Sequence, residues 1–363
     1  MKPHSLKKNP STVGSLLKKY RGWEYWNTYV FELPAYLRLA ARLIQKGVTP
    51  VQLLKVNWAL DHGGFAFASK YSIQSLFSEK HFPPTILFDS GTPRAEIVAQ
   101  VATLQAKLSL PFPLILKPDN GRVGRGVVRV RNQEELLRVL DVVEGKYLVQ
   151  EFCDLPFEAG VFFYRLRGES KIFSITIKEF AYVQGDGKSS IGELIQADVR
   201  LRRFDRSLSK QLDFNEVPPR GSKIPVSYVG NHAQGAVFRT GSASSLEAVL
   251  SRTAEILCDH PGFNYGRLDV RAATEQRFWA GDFVALEVNG VDSLATNIFD
   301  PSWSILDAYR QLFRQYDLLV DIAAEQRKQP MLRSSLWSIL QRTIESESQL
   351  LRNHEQILSL GLR

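Results

Sequence analysis

The stretch Lys117-Pro118-Asp119-Asn120-Gly121-Arg122-Val123-Gly124-Arg125-Gly126 decides how the rest of the chain is read. It follows the strand-like run Leu114-Ile115-Leu116 and leads into a second strand-like run, Val127 to Val130. A lysine ending a strand sets a point charge beside a loop, and the glycines let backbone N–H groups approach an anion closely. No Gly-Lys-Ser/Thr follows, so the stretch is not a Walker A loop. No helix opens directly after it, so the dinucleotide fingerprint fails as well. Phosphate binding and a plain glycine-rich hairpin both remain open readings of this segment alone.

Outward from that hairpin, Thr85-Ile86-Leu87-Phe88 reads as a strand, and Thr92-Pro93 as the N-cap and first position of a helix reaching about Leu108. On the other side, Asn132 and Glu135 have capping-box spacing, and Tyr147-Leu148-Val149 is a further strand. This β-loop-β-α-β order suits an antiparallel α+β lobe. Strand patterns continue at Gly160–Tyr164 and Ile172–Phe180, then a Gly185-Asp186-Gly187 turn and a helix opened by Ser190 and Glu193. The polar, Arg-rich stretch 202–222 reads as a loop. Strands return at Arg267–Arg271 and Phe283–Val288, and after Asp300-Pro301 the chain turns helical, with a break at Pro330.

Two further constellations carry chemistry. In Gly266-Arg267-Leu268-Asp269 and Glu287-Val288-Asn289, strand alternation puts Arg267 with Asp269 on one face, and Glu287 with Asn289. Two carboxylates and an amide oxygen from adjacent strands are hard donors suited to Mg²⁺. Charge-paired surface strands would show the same pattern. Gln150-Glu151-Phe152 ends a strand, with Glu158 shortly after. A strand leaving a lobe can present backbone groups to an adenine edge and a later acid to ribose hydroxyls, although an interlobe linker reads alike.

The chain has 363 residues, suggesting two or three domains. A hydrophobic fraction of 44% and a charged fraction of 23% are ordinary for a soluble globular protein and exclude a low-complexity chain. No long uncharged apolar run predicts a membrane-spanning helix, and no apolar core follows the basic N-terminus as in a signal peptide. Two cysteines, Cys153 and Cys258, make neither a disulfide framework nor a metal spacing. The cytoplasm is therefore the expected compartment. Of the net charge of +8, +7 comes from the first fifty residues, which hold nine Lys/Arg and two acids. The charge thus describes an arm, not a body built for specific nucleic-acid binding. Residues 15–60 read as helical and rich in aromatics, either core or a helix lying on a membrane beside the basic arm.

Taken in this order, the three constellations resemble the ATP-grasp superfamily, and are similar to its carboxylate–amine ligases of the D-alanine–D-alanine ligase type. Ser69-Lys70 followed by Phe82-Pro83-Pro84-Thr85 resembles that family's opening element. The resemblance runs over residues 69–303 and implies an α+β ATP-grasp fold, with two α+β lobes clasping ATP. The expected organisation is a basic, helical N-terminal region at 1–68, a first lobe at 69–150, a second lobe with the metal site at 151–303, and a helical tail at 304–363.

By the same resemblance Lys70, Lys117 and Lys178 would hold nucleotide phosphates, with Gly121, Gly124 and Gly126 in the loop folding over them. Gln150, Glu151, Phe152 and Cys153 would line the adenine pocket and Glu158 would hold the ribose. Asp269, Glu287 and Asn289 match the Mg²⁺ ligands, and Arg267 matches a residue stabilising charge at the reacting centre. Arg202 and Arg203 lie where the family places its substrate lid, Ser293 is a carboxylate contact, and His232 an acceptor contact or base. The implied reaction joins a carboxylate to an amine through an acyl phosphate, releasing ADP and phosphate. An amino acid or peptide is the expected substrate. An ATP-grasp kinase and a non-catalytic nucleotide-binding module are the alternatives. The helical tail is read as packing or oligomerisation structure. A short helical N-terminal region and widely separated metal strands depart from D-alanine–D-alanine ligases and leave the carboxylate and amine unnamed.

Overall fold

The computed structural model describes residues 23, 26–65, 67–108, 111–122, 124–209, 212–226, 230, 235–258, 260–330 and 336–362. In chain order the elements are α1 (Thr28–Lys46), α2 (Lys70–Gln74), β1 (Thr85–Asp89), α3 (Arg94–Gln105), β2 (Leu114–Pro118), β3 (Val128–Val130), α4 (Gln133–Leu140) and β4 (Lys146–Glu151). They continue with β5 (Phe157–Leu166), β6 (Glu169–Glu179), β7 (Tyr182–Gln184), α5 (Ile191–Ala197), α6 (Asp205–Leu208), β8 (Lys223–Pro225) and β9 (Val237–Thr240). The last are α7 (Glu247–Leu257), β10 (Tyr265–Ala272), α8 (Glu275–Trp279), β11 (Val284–Asn289), α9 (Ile305–Glu325) and α10 (Leu336–Ser359).

Two antiparallel sheets organise the molecule. The first has the order β1-β4-β2-β3 and the second β11-β10-β5-β6-β9; β7 and β8 form a separate two-stranded sheet. The first sheet packs its apolar face, with Leu114, Leu116, Tyr147 and Val149, against α3 and α4 through Val101, Leu136 and Val139. The second buries Val161, Phe163, Leu268 and Val270 against Val249, Ile256 and Phe278 of its own helices. The fold is α+β because each sheet covers one face with helices and leaves the other for the cleft between them.

A third core joins the chain's two ends. Phe31 and Ala35 of α1 pack with Leu312, Leu319 and Val320 of α9. At its centre Asn57 is fully buried and saturated. Its Nδ2 donates to the carbonyls of Gly63 (3.2 Å) and Tyr265 (2.7 Å). Its Oδ1 accepts from the N–H groups of Asn264 (2.9 Å) and Tyr265 (3.0 Å). One side chain thereby fixes the start of β10 to the N-terminal region.

The structure corrects several local expectations. The helical stretch expected over 15–60 breaks at Gly47, whose φ of 61° caps α1 in the left-handed region, and Pro50–Asn57 is a separate 3₁₀ turn. Residues before 23 lie outside the described residues. Helix α3 is capped at Pro93, not Thr92, because the first helical bond runs from the Ile97 N–H to the Pro93 carbonyl and no side chain caps the end. The expected loop at 202–222 contains α6 and a 3₁₀ turn at Leu201–Phe204. The capping boxes at Asn132 and Ser190 have the geometry read from their spacing only at Ser190, where both halves form; at Asn132 the side chain caps Glu135 N–H while Glu135 turns to Arg131 N–H.

Candidate active site

Strand register assembles the site. In the β10–β11 pair Asp269 stands opposite Glu287, and Arg267 opposite Asn289. On the other side of β10, Gly160 of β5 faces Asp269, and Glu158 faces Arg271. Across β5 and β6, Glu158 also pairs with Lys178. One face of the second sheet therefore carries a row of alternating charges, half-buried or buried, over which the first sheet sets Lys117 and Gln150. The space between is a cleft of about 590 Å³.

These charges neutralise one another pairwise. Arg267 Nε and Nη2 donate to the two oxygens of Asp269 at 2.9 and 3.2 Å, and Nη1 to the Leu294 carbonyl at 3.0 Å. Lys178 Nζ lies 2.9 Å from Glu158 and 3.3 Å from Asp269. Arg271 holds the other Glu158 oxygen at 2.9 Å. Lys70, at the first position of α2, pairs with Glu287. Burial alone would raise the pKa of Asp269, but Arg267 and Lys178 override it and hold the carboxyl well below the usual carboxylate range. Glu287 is lowered in the same way, burial being outweighed by Lys70 and Lys117. Lys178 is raised, because Asp269 and Glu158 outweigh its burial.

Lys117 is the exception. Its Nζ touches neutral partners, Gln150 Oε1 at 3.0 Å and the Leu286 carbonyl at 3.4 Å. Burial pulls its pKa down to about 8, with Glu287 pulling the other way and Lys70 adding repulsion. A buried ammonium without a directly bonded carboxylate is a cation short of an anion.

Small residues keep the site open. A Cβ on Gly160 would come within 3.0 Å of Arg267 Cδ and 3.3 Å of Asp269 Oδ1. The Gly63-Gly64 turn packs backbone to backbone on Gly290, just past β11, and a Cβ on Gly64 would stand 2.7 Å from Gly290 Cα.

A family model, the RimK-like ATP-grasp domain, matches residues 90–161, which run from the turn after β1 into β5. Over those residues the chain is similar to an ATP-grasp domain. Solved structures similar to it include D-alanine–D-alanine ligase from Bacillus anthracis complexed with ATP, at 13% identity and a TM-score of 0.41, covering 74% of this chain and 70% of that one. VanG D-Ala:D-Ser ligase from Enterococcus faecalis is similar at 16% identity and a TM-score of 0.40, over 71% of this chain and 64% of that one. L-amino acid ligase from Bacillus licheniformis is similar at 16% identity and 0.33, over 61% and 40%. No curated protein matches the chain.

The cleft brings together most of the residues singled out in the sequence. Lys70, Lys117, Gly121, Gly124, Gln150, Glu151, Phe152, Cys153, Glu158, Lys178, Arg267, Asp269, Glu287, Asn289 and Ser293 all line it. Gly126 does not: at φ 70° it packs against Pro118, and its N–H donates to His354 Nδ1 at 3.3 Å. Arg202 and Arg203 are exposed on the 3₁₀ turn and stay outside the lining. His232 lies outside the described residues; its neighbour Gly230 lines the cleft so closely that a Cβ there would meet Glu158 Oε1 at 2.4 Å. Ser293 spends its hydroxyl on the Gly290 carbonyl at 2.6 Å, shaping the turn. Both oxygens of Glu158 are taken, by Lys178 and Arg271, so its carboxylate braces the floor.

Four cleft residues, Arg271, Arg122, Asp292 and Phe67, were not among the expected site residues. Arg271 continues the Arg267–Asp269 alternation by one more step, a signal that was present. It bonds Glu158 and the Cys153 carbonyl and stacks on Phe180. Arg122 bonds Asp292 at 3.1 Å and lies over Phe67. Nothing in the local sequence couples those three residues, which lie on separate segments.

A divalent cation fits the donors at the β10–β11 pair. Asp269 and Glu287 are half-buried, stand opposite each other and are both held below the ordinary carboxylate range, and Asn289 Nδ2 donates to Asp269 Oδ2 at 3.3 Å. The set holds two carboxylates and one amide; among the described residues no group of three or more His, Cys, Asp or Glu could hold a metal. A hard cation that keeps waters or borrows ligand oxygens suits such a partial shell.

Proposed function

We propose that this protein is an ATP-dependent carboxylate–amine ligase that forms an amide or peptide bond between small molecules. The observation that carries the reading is the buried charge row: Lys70, Lys117, Lys178 and Arg267 face one cleft with Asp269, Glu287 and Asn289 on adjoining strands. When bound, Mg-ATP supplies the γ-phosphoryl group that a substrate carboxylate takes as ADP leaves, after which an amine displaces phosphate.

The chain's own residues position and neutralise. Lys70, Lys117 and Lys178 would hold phosphate oxygens, Lys117 most readily because no carboxylate occupies it. Asp269, Glu287 and Asn289 would hold Mg²⁺, which requires Lys70 to exchange Glu287 for an anionic oxygen. The 150–153 segment, ending β4 at the cleft wall, would meet the adenine edge. Arg267, fixed at three points, offers a preorganised charge to the substrate carboxyl. Cys153 is no nucleophile here, since burial pushes its thiol up and away from thiolate at neutral pH. Direct transfer between substrates needs none.

The test is ADP release across an amino-acid panel, with hydroxylamine replacing the amine. A hydroxamate together with ADP supports the ligase. ADP with a stable phosphorylated alcohol and no trappable acyl group would replace it by a kinase with the same metal site.

A further inference from the structure

Helix α1 is apolar on both sides, with Phe31, Ala35 and Leu43 buried in the core it shares with α9. Its ionisable acid and base side chains all turn toward α9. Glu32 accepts from Tyr316 at 3.1 Å, Arg38 bonds Asp317 at 2.6 Å, Arg42 pairs with Asp317 and Asp321, and Lys46 with Asp321 at 2.9 Å. The face pointing away from the protein carries Tyr29 (77% exposed), Val30 (62%), Leu33 (56%), Leu37 (67%) and Ile44 (84%). Ala40 and Ala41 fill intervening outer positions, while Tyr36 turns to the α9 side and donates to Glu32, so the outward face has no Asp, Glu, Lys or Arg. A surface helix ordinarily shows the reverse arrangement. Scattered exposed apolar residues need no explanation, but a contiguous stripe along one helix does.

The stripe comes with a charge signal. Residues 1–22, which lead into α1, contain six Lys/Arg and no Asp or Glu. An apolar helix face adjoining a basic segment is the combination that an anionic bilayer surface complements in both its parts. A second copy of the chain would complement the apolar face only, and would bring a second basic segment toward the first. No helix among the described residues is long and apolar enough to cross a membrane, so the geometry is that of lying on one.

We propose that the outward face of α1 docks on an anionic lipid bilayer, with the side chains of Val30, Leu33, Leu37 and Ile44 entering the acyl boundary and the positive charge of residues 1–22 favouring acidic headgroups. Phe31, on the inner face of the same helix, lines the cleft together with Trp26, so docking sets the apolar end of the cleft beside the lipid surface.

The test uses the full chain and sedimentation with vesicles of phosphatidylcholine alone or with about a third phosphatidylserine. Wild type should pellet with the acidic vesicles and be released by high salt, since exposed charges are screened within about 3 Å at molar ionic strength. L33Q/L37Q/I44Q should lower acidic-vesicle affinity by at least about tenfold, because three buried apolar side chains are lost. V30Q/L37Q should give a smaller loss. Both variants should keep the wild-type circular dichroism and melting temperature, because the altered side chains face outward. W337Q, on the separate exposed face of α10 that includes Leu340 and Ile344, should bind as wild type does. No binding of wild type to acidic vesicles would overturn the proposal, as would equal binding by the triple variant. So would a wild-type dimer that the triple variant turns monomeric without vesicle binding, which would give the face to a second copy.

Discussion

Replacing Lys117 by Gln should abolish a proton uptake that accompanies nucleotide binding. Lys117 is buried against neutral partners, and its pKa sits at about 8 in place of the ordinary 10.5. An anionic phosphate oxygen at Nζ would restore the charged form, so binding and protonation are linked. At a pKa of about 8, roughly 0.1, 0.5 and 0.9 of a proton should be taken up at pH 7, 8 and 9. Affinity should fall above pH 8, by at most about 300-fold once the ordinary lysine pKa is passed. The folded state feels the same group with a definite sign. Below pH 8 the lysine is charged in both states and the folded protein bears the whole cost of burying it. As pH rises from about 8 toward 10.5 the folded form gives up its proton first. This group's contribution to stability then improves by about 3 kcal/mol. Calorimetric titration with Mg-ATP at pH 9, in two buffers of different ionisation enthalpy, reads the proton count directly. Equal uptake by wild type and K117Q would refute the assignment of Lys117 to the phosphates.

Further outcomes follow from the same geometry. Asn57→Leu should destabilise the protein by about 3 kcal/mol or more, because it strands the buried N–H groups of Asn264 and Tyr265; chemical denaturation measures this. Gly160→Ala should leave the melting temperature nearly unchanged but lower turnover by about tenfold, since its methyl group presses on Arg267 and Asp269 and small displacements in a site are costly; steady-state kinetics against thermal melting separates the two. Arg267→Ala should cut kcat by about 10²–10³-fold with nucleotide affinity retained, whereas Glu287→Gln should raise the Mg²⁺ concentration needed for half-maximal activity. Identical magnesium profiles for the two variants would remove Glu287 from the metal site.

Local physics made the chemistry of the cleft legible in the amino-acid sequence. A period of two put Arg267 with Asp269, and Glu287 with Asn289, on common faces before any pairing was known. Lys117 at the end of a strand, followed by glycines, marked an anion-sized opening. These are properties of a few adjacent residues, and the backbone enforces them wherever the segment ends up. Tertiary structure alone decided which faces meet. Register set Glu158 between Lys178 and Arg271, a three-way pairing that no local pattern announces. The pKa of Lys117 came from the neutral groups that surround it. In α1 the sequence holds apolar residues on both sides, Phe31 and Ala35 on one and Leu33 and Leu37 on the other, and no periodicity chooses between them. The packing of Phe31, Ala35 and Leu43 on α9 made the choice, and Asp317 and Asp321 of α9, some 280 positions away, pair with Arg38, Arg42 and Lys46 along its edge while Leu33 and Leu37 stay out. A charge complement that distant in the chain has no local signature, because it exists only once the two ends of the protein are packed together.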